Sequence, residues 1–345
     1  MSASSESGRP LPPAVAECPA AVIDLDALAH VRYPGLPASL LAAGRALLNV
    51  VEPRPEPGLL PLADLVEERT AGRFAAEFRG WAAAVGVDPR ELILANVSYD
   101  LFAASLGCSA AALATAEGPV LARNMDWWPE EALARASVVL THARGGRTVF
   151  ANAGWPGSVG AVTGLSAAGF AVSLNAASGL EPPDPAGYPV LLHLRRTLED
   201  AGGFAEAVEM LSRERLAASG LFTVVGRENA ERAVVERSPT RSAVRRPVGD
   251  EPLICTNDYR RLGVPAATDA DDARGLFRSA CWRFDALLGG CRTLDPRRPA
   301  TDAELLRLLA GPPVAQQITA QHVILRPRSG TARMWVPAAH VAVAG

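Results

Sequence analysis

At 345 residues, 49% of them hydrophobic, the chain suits one large domain or two small ones with a substantial core. Its 34 basic and 37 acidic residues are well mixed and leave a net charge of −3, which excludes the basic footprint of a nucleic-acid binder and a polybasic membrane patch. The five cysteines are odd in number and widely spaced without a C-x-x-C pair, which argues against a disulfide framework or a zinc site, and no apolar run reaches the length of about 18 residues that a spanning helix needs.

Taken in chain order, residues 1–20 are small, polar and Pro-rich and read as a disordered tail. They hold no apolar core of a signal peptide, so the expected compartment is a reducing cytoplasm. Residues 21–28 read as a strand with a turn at Pro34-Gly35. Leu40, Leu41, Leu47, Leu48 and Val51 recur at helical spacing, and Pro53, Pro55 and Pro57 end that helix. A second helix is expected near residues 73–85, and Asp88 caps a third, with Ile93, Val97 and Leu101 along one face. The first third is thus mostly helical and ends at Gly107.

Beyond Cys108 the character changes to short strands. Residues 137–142 and 148–152 form a hairpin about Gly145-Gly146, and residues 161–165 and 170–174 a second one about Ala168-Gly169. Residues 187–216 return to helix, broken at Gly202-Gly203. Residues 221–225, 233–236 and 243–246 read as a meander, and residues 253–256 as a strand ending at Asn257. Residues 274–288 are helical, and Thr301-Asp302-Ala303-Glu304 is a capping box for the helix that follows. Residues 322–325 and 333–336 are closing strands. Strands, two helices, then strands again predict a layered α+β domain.

The chain is organised around residues 108–126. Cys108 opens an Ala-rich strand, Glu117-Gly118-Pro119 supplies the turn, and Val120, Leu121 and Ala122 lead to Arg123, Asn124 and Asp126. A hairpin of this kind returns Arg123 and Asp126 close to Cys108, where the guanidinium would lower the thiol pKa. Taken alone, Cys108 reads as inert core, Arg123 and Asp126 as a rim salt bridge, and Asn175 as a turn cap. What the hairpin lacks is a histidine. The five in the chain, His30, His142, His193, His322 and His340, lie in no catalytic motif. The base must be another group. One candidate is the α-amine of Cys108, which titrates near pH 8 when unperturbed and is freed if the Gly107–Cys108 bond is cut.

These residues resemble the acid ceramidase and N-acylethanolamine acid amidase family, N-terminal-nucleophile hydrolases related to the choloylglycine hydrolases. The resemblance runs from about Ala21 to the C-terminus. It is strongest in Arg123-Asn124-Met125-Asp126 after the Cys. It extends through Ala21-Val22-Ile23-Asp24-Leu25-Asp26, Asn96-Val97-Ser98-Tyr99-Asp100-Leu101-Phe102 and Gly146-Arg147-Thr148-Val149-Phe150. Further on it includes Gly164-Leu165-Ser166 with Phe170-Ala171-Val172-Ser173-Leu174-Asn175, and Thr256-Asn257-Asp258-Tyr259. The family usually has Thr-Ser after the Cys, whereas this chain has Ser109-Ala110.

The resemblance implies a four-layer αββα sandwich, with residues 21–107 as a helical N-terminal segment that stays bound after cleavage and residues 108–345 as the catalytic domain. It implies that Cys108 is the nucleophile, Arg123 contacts thiol and substrate, Asp126 holds the α-amine, and Asn175 and Asn257 serve the oxyanion. A last Arg is expected downstream. Arg260, Arg261, Arg274 and Arg278 compete for it, and Arg274 has the family spacing. Tyr99 is expected to pack in the core, and Trp127 with Trp128 to wall an acyl pocket. The expected reaction is hydrolysis of a small N-acyl amide, with no metal or organic cofactor. A penicillin-type acyltransferase is the alternative on the same fold, and a non-catalytic acyl-binding protein the third reading.

Overall fold

The computed structural model describes residues 14–33, 35–51, 57–102, 107–177, 180–263 and 276–341. The chain opens with strands β1 (Val15–Glu17) and β2 (Ala20–Asp24). Six helices follow, α1 (Ala29–Arg32), α2 (Ala38–Val51), α3 (Pro61–Arg69), α4 (Ala75–Val85), α5 (Pro89–Asn96) and α6 (Ser98–Phe102). The hairpin β3 (Gly107–Leu113) and β4 (Val120–Asp126) leads through α7 (Glu130–Ala136) to β5 (Val138–Arg144), β6 (Arg147–Gly154), β7 (Thr163–Ser166) and β8 (Phe170–Asn175). Helices α8 (Val190–Asp200) and α9 (Phe204–Arg213) precede β9 (Gly220–Val225), β10 (Arg232–Arg237), β11 (Ser242–Arg245) and β12 (Leu253–Cys255). The chain finishes with α10 (Leu276–Cys291), α11 (Asp302–Ala310), β13 (Thr319–Arg326), β14 (Thr331–Pro337) and α12 (Ala338–Val341).

The fold is α+β. Among the described residues the strands form a six-stranded sheet, β1-β14-β13-β4-β3-β12, and an eight-stranded sheet, β11-β10-β9-β8-β7-β6-β5-β2. The pairings are antiparallel except β2 with β5. The sheets face each other, with β3 against β8 and β9. Strand alternation divides the work along β3. Ala110 and Ala112 join a cluster with Leu165, Ala171 and Leu221 of the other sheet. Ala111 and Leu113 join a cluster with Leu287, Leu305 and Leu309 of α10 and α11. A strand buried along its whole length, as β3 and β4 both are, must be apolar or pair its polar groups. On the far side of the larger sheet, α8 packs on β6, β7 and β8, and α9 on β9, β10 and β11.

Local signals account for the ends of these elements. Gly118 turns the β3–β4 hairpin at φ 95°, where an added Cβ would come within 2.9 Å of the Arg227 carbonyl. Asp88 accepts from Arg90 N at 2.7 Å, and both halves of the Thr301–Glu304 capping box are present. Three features depart from expectation. Residues 14–20 belong to the expected disordered tail, yet β1 pairs with β14 and β2 with β5 in the two different sheets, so backbone pairing overrides poor composition; residues 1–13 lie outside the described residues. Helix α3 follows the Pro cluster because Pro61 occupies its first turn, where no N–H is needed. Helix α7 is short and lies in a stretch for which no element was expected. No helix among the described residues is long and apolar enough to cross a membrane.

Candidate active site

The open end of the β3–β4 hairpin gathers the expected residues. Gly107 pairs with Asp126, Cys108 with Met125, and Ala110 with Arg123. Cys108 and Arg123 therefore share the face turned toward the larger sheet. Arg123 is completely buried. Its Nη2 donates to Cys108 Sγ at 2.9 Å and to the Leu174 carbonyl at 3.1 Å, and its Nη1 donates to Thr163 Oγ1 at 2.7 Å. A β-bulge between Thr319 and Gln321 lies at the end of β13 beside Asp126, and Thr319 Oγ1 donates to Asp126 Oδ1 at 2.6 Å.

A second set of contacts fixes the cysteine backbone. Cys108 N donates to Asn257 Oδ1 at 2.9 Å. Arg283, on α10 and wholly buried, donates from Nη1 to the Cys108 carbonyl at 2.5 Å and to Ser109 Oγ at 2.9 Å. Its Nη2 donates to Asn257 Oδ1 at 2.9 Å. Four polar atoms in this cluster are buried without a partner, namely Asp126 Oδ2, Asn175 Oδ1, Arg123 Nε and Arg283 Nε. Unmet polar atoms gathered at one place mark capacity for a ligand or for a new charge.

Residues 113–276 match the profile of the acyl-coenzyme A:6-aminopenicillanic acid acyl-transferase family, a span that includes Arg123, Asp126, Asn175 and Asn257 and starts just beyond Cys108. The chain is 27% identical over 199 residues to an acid ceramidase of Balaenoptera acutorostrata scammoni, covering 50% of this chain and 49% of that protein. It is 26% identical over 194 residues to the acid ceramidase of Homo sapiens, covering 48% and 47%. The matches thus span about half the length of the ceramidases concerned. The solved structure of the Caenorhabditis elegans N-acylethanolamine-hydrolyzing acid amidase ortholog superposes with a TM-score of 0.53 at 19% identity, covering 64% of this chain and 93% of that one, so the two share a fold. Over about half of its length the chain is thus similar to the acid ceramidases and to the acyl-transferase family.

The electrostatics differ from the simple expectation of a thiol lowered by Arg123. Burial pushes the Cys108 thiol above its ordinary value, and Arg123 acts against that push without cancelling it. Burial likewise lifts Asp126 to about 6, against the pull of Arg283, Thr319 and Arg123. Desolvation is the larger force on both groups because neither touches solvent appreciably. His142, His193 and His322 are buried, and burial pushes all three down, so they are neutral near pH 7. The ring of His322 bonds to Asn124 Oδ1 at 2.7 Å rather than to the sulfur.

Of the expected family residues, Cys108, Arg123 and Asn257 are joined by direct contacts, and Asp126 closes the same end of the hairpin. Asn175 lies at the end of β8, with both amide hydrogens engaged, to the Cys255 carbonyl at 3.1 Å and the Thr256 carbonyl at 3.0 Å. It presents an acceptor, Oδ1, where an oxyanion donor was expected. Its visible work is to fix the backbone that leads into Asn257.

Arg274 lies outside the described residues, as does the side chain of Arg278. Arg260 stacks on Phe284, and the backbone N–H of Arg261 donates to Glu236. The arginine found at the site is Arg283, which sequence reasoning passed over as part of an apolar helix. Its signal was available, since Ala280, Leu287 and Cys291 form the buried stripe of α10 and Arg283 falls on it. Ser109 keeps a hydroxyl where the family has Thr, and that hydroxyl receives Arg283. Tyr99 is buried and donates to the Ser219 carbonyl at 2.7 Å, as a core residue would. Trp127 packs edge-on against Trp155, and both line an apolar cavity of about 70 Å³ with Leu47, Leu133 and Val162, whereas Trp128 is exposed.

Proposed function

We propose that the chain is a cysteine N-terminal-nucleophile amidohydrolase that cuts itself between Gly107 and Cys108 and then cleaves the amide bond of an N-acyl amine. The observation that carries this reading is the pair of side chains on one residue: Arg123 donates to Cys108 Sγ while Asn257 accepts from Cys108 N. Sulfur and backbone nitrogen are both held, and no histidine bonds to either among the described residues. In the precursor, Cys108 Sγ attacks the Gly107 carbonyl, the C–N bond breaks as the thiol proton passes to nitrogen, and water hydrolyses the resulting thioester to the Gly107 carboxylate and the free thiol. The freed amine then has Asn257 Oδ1 at hand, and Asp126 Oδ2, which lacks a partner, is available to it.

In turnover the thiol proton passes to the α-amine as Sγ attacks the substrate carbonyl. The C–N bond breaks, and the amine leaves with that proton. Water next gives a proton to the α-amine and its hydroxyl to the thioester carbon, which releases the acid and restores the thiol. Arg123 supplies the positive charge nearest the developing oxyanion and keeps Nε unpartnered. Arg283 and Asn257 hold the Cys108 backbone still during attack, and Asn175 holds the backbone before Asn257. The apolar cavity behind Trp127 and Trp155 lies beside the cluster that contains Cys108, Met125 and Leu133, which favours an apolar acyl chain. The names of the relatives, a ceramidase and an N-acylethanolamine amidase, point to the same class of substrate.

The helices outside each sheet support a four-layer αββα sandwich for residues 108–345, and α1–α6 support a helical segment over residues 21–107. Several contacts favour that segment staying bound once cut. Arg195 reaches Glu77 at 3.3 Å, Arg73 reaches Glu199 at 2.8 Å, Tyr99 reaches Ser219, and Asp100 accepts from Val190 N at 2.9 Å. The acyl-transferase profile keeps a second reading alive, in which an amine replaces water at the thioester.

The test uses purified wild type and Cys108→Ala. Intact mass should show fragments 1–107 and 108–345 for wild type and a single uncut chain for the variant. Free acid release from an N-acylethanolamine should fall at least about 10⁴-fold in the variant. Added primary amine separates the two readings, because a transferase yields more new amide than acid. A single uncut chain with full activity would end the proposal.

A further inference from the structure

The three hydrogen-bond acceptors of Arg123 are a sulfur, a backbone carbonyl and one hydroxyl, that of Thr163. A fully buried cation depends on such partners, since each one lost leaves charge unsolvated. The sulfur is the group that reacts, and the Leu174 carbonyl shares Nη2 with it. Thr163 alone among these partners is a side chain that takes no part in the chemistry, and it is the acceptor on Nη1. It lies on β7 in the opposite sheet, so the bond at 2.7 Å ties one sheet to the other directly behind the nucleophile. Thr163 is completely buried and pairs in register with Ser173 on β8, which pairs with Thr223 on β9. Paired positions share a face, so the three hydroxyls form a row between the sheets. Ser173 Oγ in this row has no partner, whereas Thr163 is engaged by Arg123.

We propose that Thr163 is a positioning residue for the reaction: it holds the guanidinium of Arg123 in the orientation that keeps Nη2 on Cys108 Sγ, and so governs how readily the thiol ionises and attacks. The inference rests on Cys108 being the nucleophile. Its physical content is rotational. A planar guanidinium fastened at one end only can turn about its own stem, and the Leu174 carbonyl then competes with the sulfur for Nη2. Fastening Nη1 as well removes that freedom. Val in place of Thr keeps the shape and removes the acceptor, so packing and hydrogen bonding separate cleanly.

The experiment measures the rate of Cys108 alkylation by iodoacetamide against pH on the full chain, with the labelled peptide read by mass spectrometry, alongside kcat and KM. Thr163→Val should raise the midpoint of the profile by about one pH unit and lower kcat about tenfold with KM little changed. Thr163→Ser, which restores the hydroxyl, should return both toward wild type. Ser173→Ala, which removes the idle neighbouring hydroxyl, should leave the midpoint in place. Thr163→Ala, which relieves crowding instead of preserving shape, is read in the same way as the valine variant if that one does not fold. A Thr163→Val or Thr163→Ala profile that superimposes on wild type overturns the inference, as does a serine variant as impaired as the valine one. Activity that survives Cys108→Ala would instead sink the reading of the nucleophile, so the two failures are distinct.

Discussion

Cys108 and Cys255 make a controlled comparison within one molecule. They lie on neighbouring strands, β3 and β12, and Cys255 sits opposite Ala110, two residues along from Cys108 on the same face. Both are buried, and burial pushes both thiols up, Cys255 to about 12. What differs is the company of the sulfur. Cys108 Sγ receives the Arg123 guanidinium at 2.9 Å, which lowers it; the Asp126 carboxylate raises it, and the Asp126 backbone N–H and Arg283 lower it. Cys255 Sγ donates to the Thr256 carbonyl at 3.7 Å, an interaction of the neutral thiol, and it is lowered by Arg245 through space and by the neutral hydroxyl of Thr223, with no charged donor bonded to it among the described residues. Burial is common to core cysteines; fixed donors aimed at the sulfur are what stabilise an anion there.

The largest expected effect breaks that difference. Arg123→Met removes the charged donor from Cys108 and leaves a buried thiol much like Cys255. Acid release should fall about 10³-fold, the size associated with losing a preorganised donor, and alkylation of Cys108 at neutral pH should slow with it. Arg123→Lys should recover little, because a point charge cannot reach sulfur, carbonyl and hydroxyl at once. An Arg123→Met protein within about tenfold of wild type would show that the guanidinium is incidental.

Next in size is a test on a buried acid instead of a thiol. Asp100 accepts from the Val190 N–H, keeps Oδ2 unpartnered, and is lifted by burial to about 7. Asp126 has two arginines and Thr319 pulling against burial and reaches only about 6. A carboxyl whose folded pKa is raised binds a proton more tightly when folded. Its contribution to stability is present below the unfolded value near 4 and is lost as pH rises through 7. Asp100→Asn keeps an acceptor for Val190 and cannot ionise. It should be more stable than wild type by about 2 kcal/mol at pH 8, with the gain fading toward pH 4, as read by urea unfolding at the two pH values. A gain that does not change with pH would mean that the carboxyl is already neutral or well solvated.

The comparison also shows what the sequence could convey. The hairpin, its turn glycine and the return of Arg123 to Cys108 were legible because they depend on local spacing and turn chemistry. So were most strands, the Asp88 cap and the capping box at Thr301. Arg283 was missed because its role depends on which face of α10 meets β3, a tertiary fact that only the buried stripe around it hints at. The hydrogen bonds of Asn175 were hidden for a similar reason. Its amide hydrogens go to carbonyls of β12 and the residue after it, about eighty residues further along the chain, and nothing local announces that. The direction of the Cys108 shift was misjudged because proximity of an arginine is visible in a motif, whereas the depth at which both are buried is not.

The smallest effect is expected at Cys255, and it is the one that tests the comparison from its other side. Cys255→Ala removes a buried sulfur from a cluster with Leu253, Tyr259 and Leu221, so a loss of about 1 kcal/mol in stability is expected from the gap left behind. The carbonyl that holds Asn175 belongs to the backbone and survives the substitution. Acid release should therefore stay within about twofold of wild type, since no donor to Cys108 Sγ is touched. Native-state alkylation should label Cys108 and spare Cys255, because a thiol held at about 12 presents almost no thiolate near neutrality. If Cys255→Ala were as inactive as Arg123→Met while still folded, depth in the sheet rather than the partners of the sulfur would be what matters, and the contrast between the two thiols would lose its meaning.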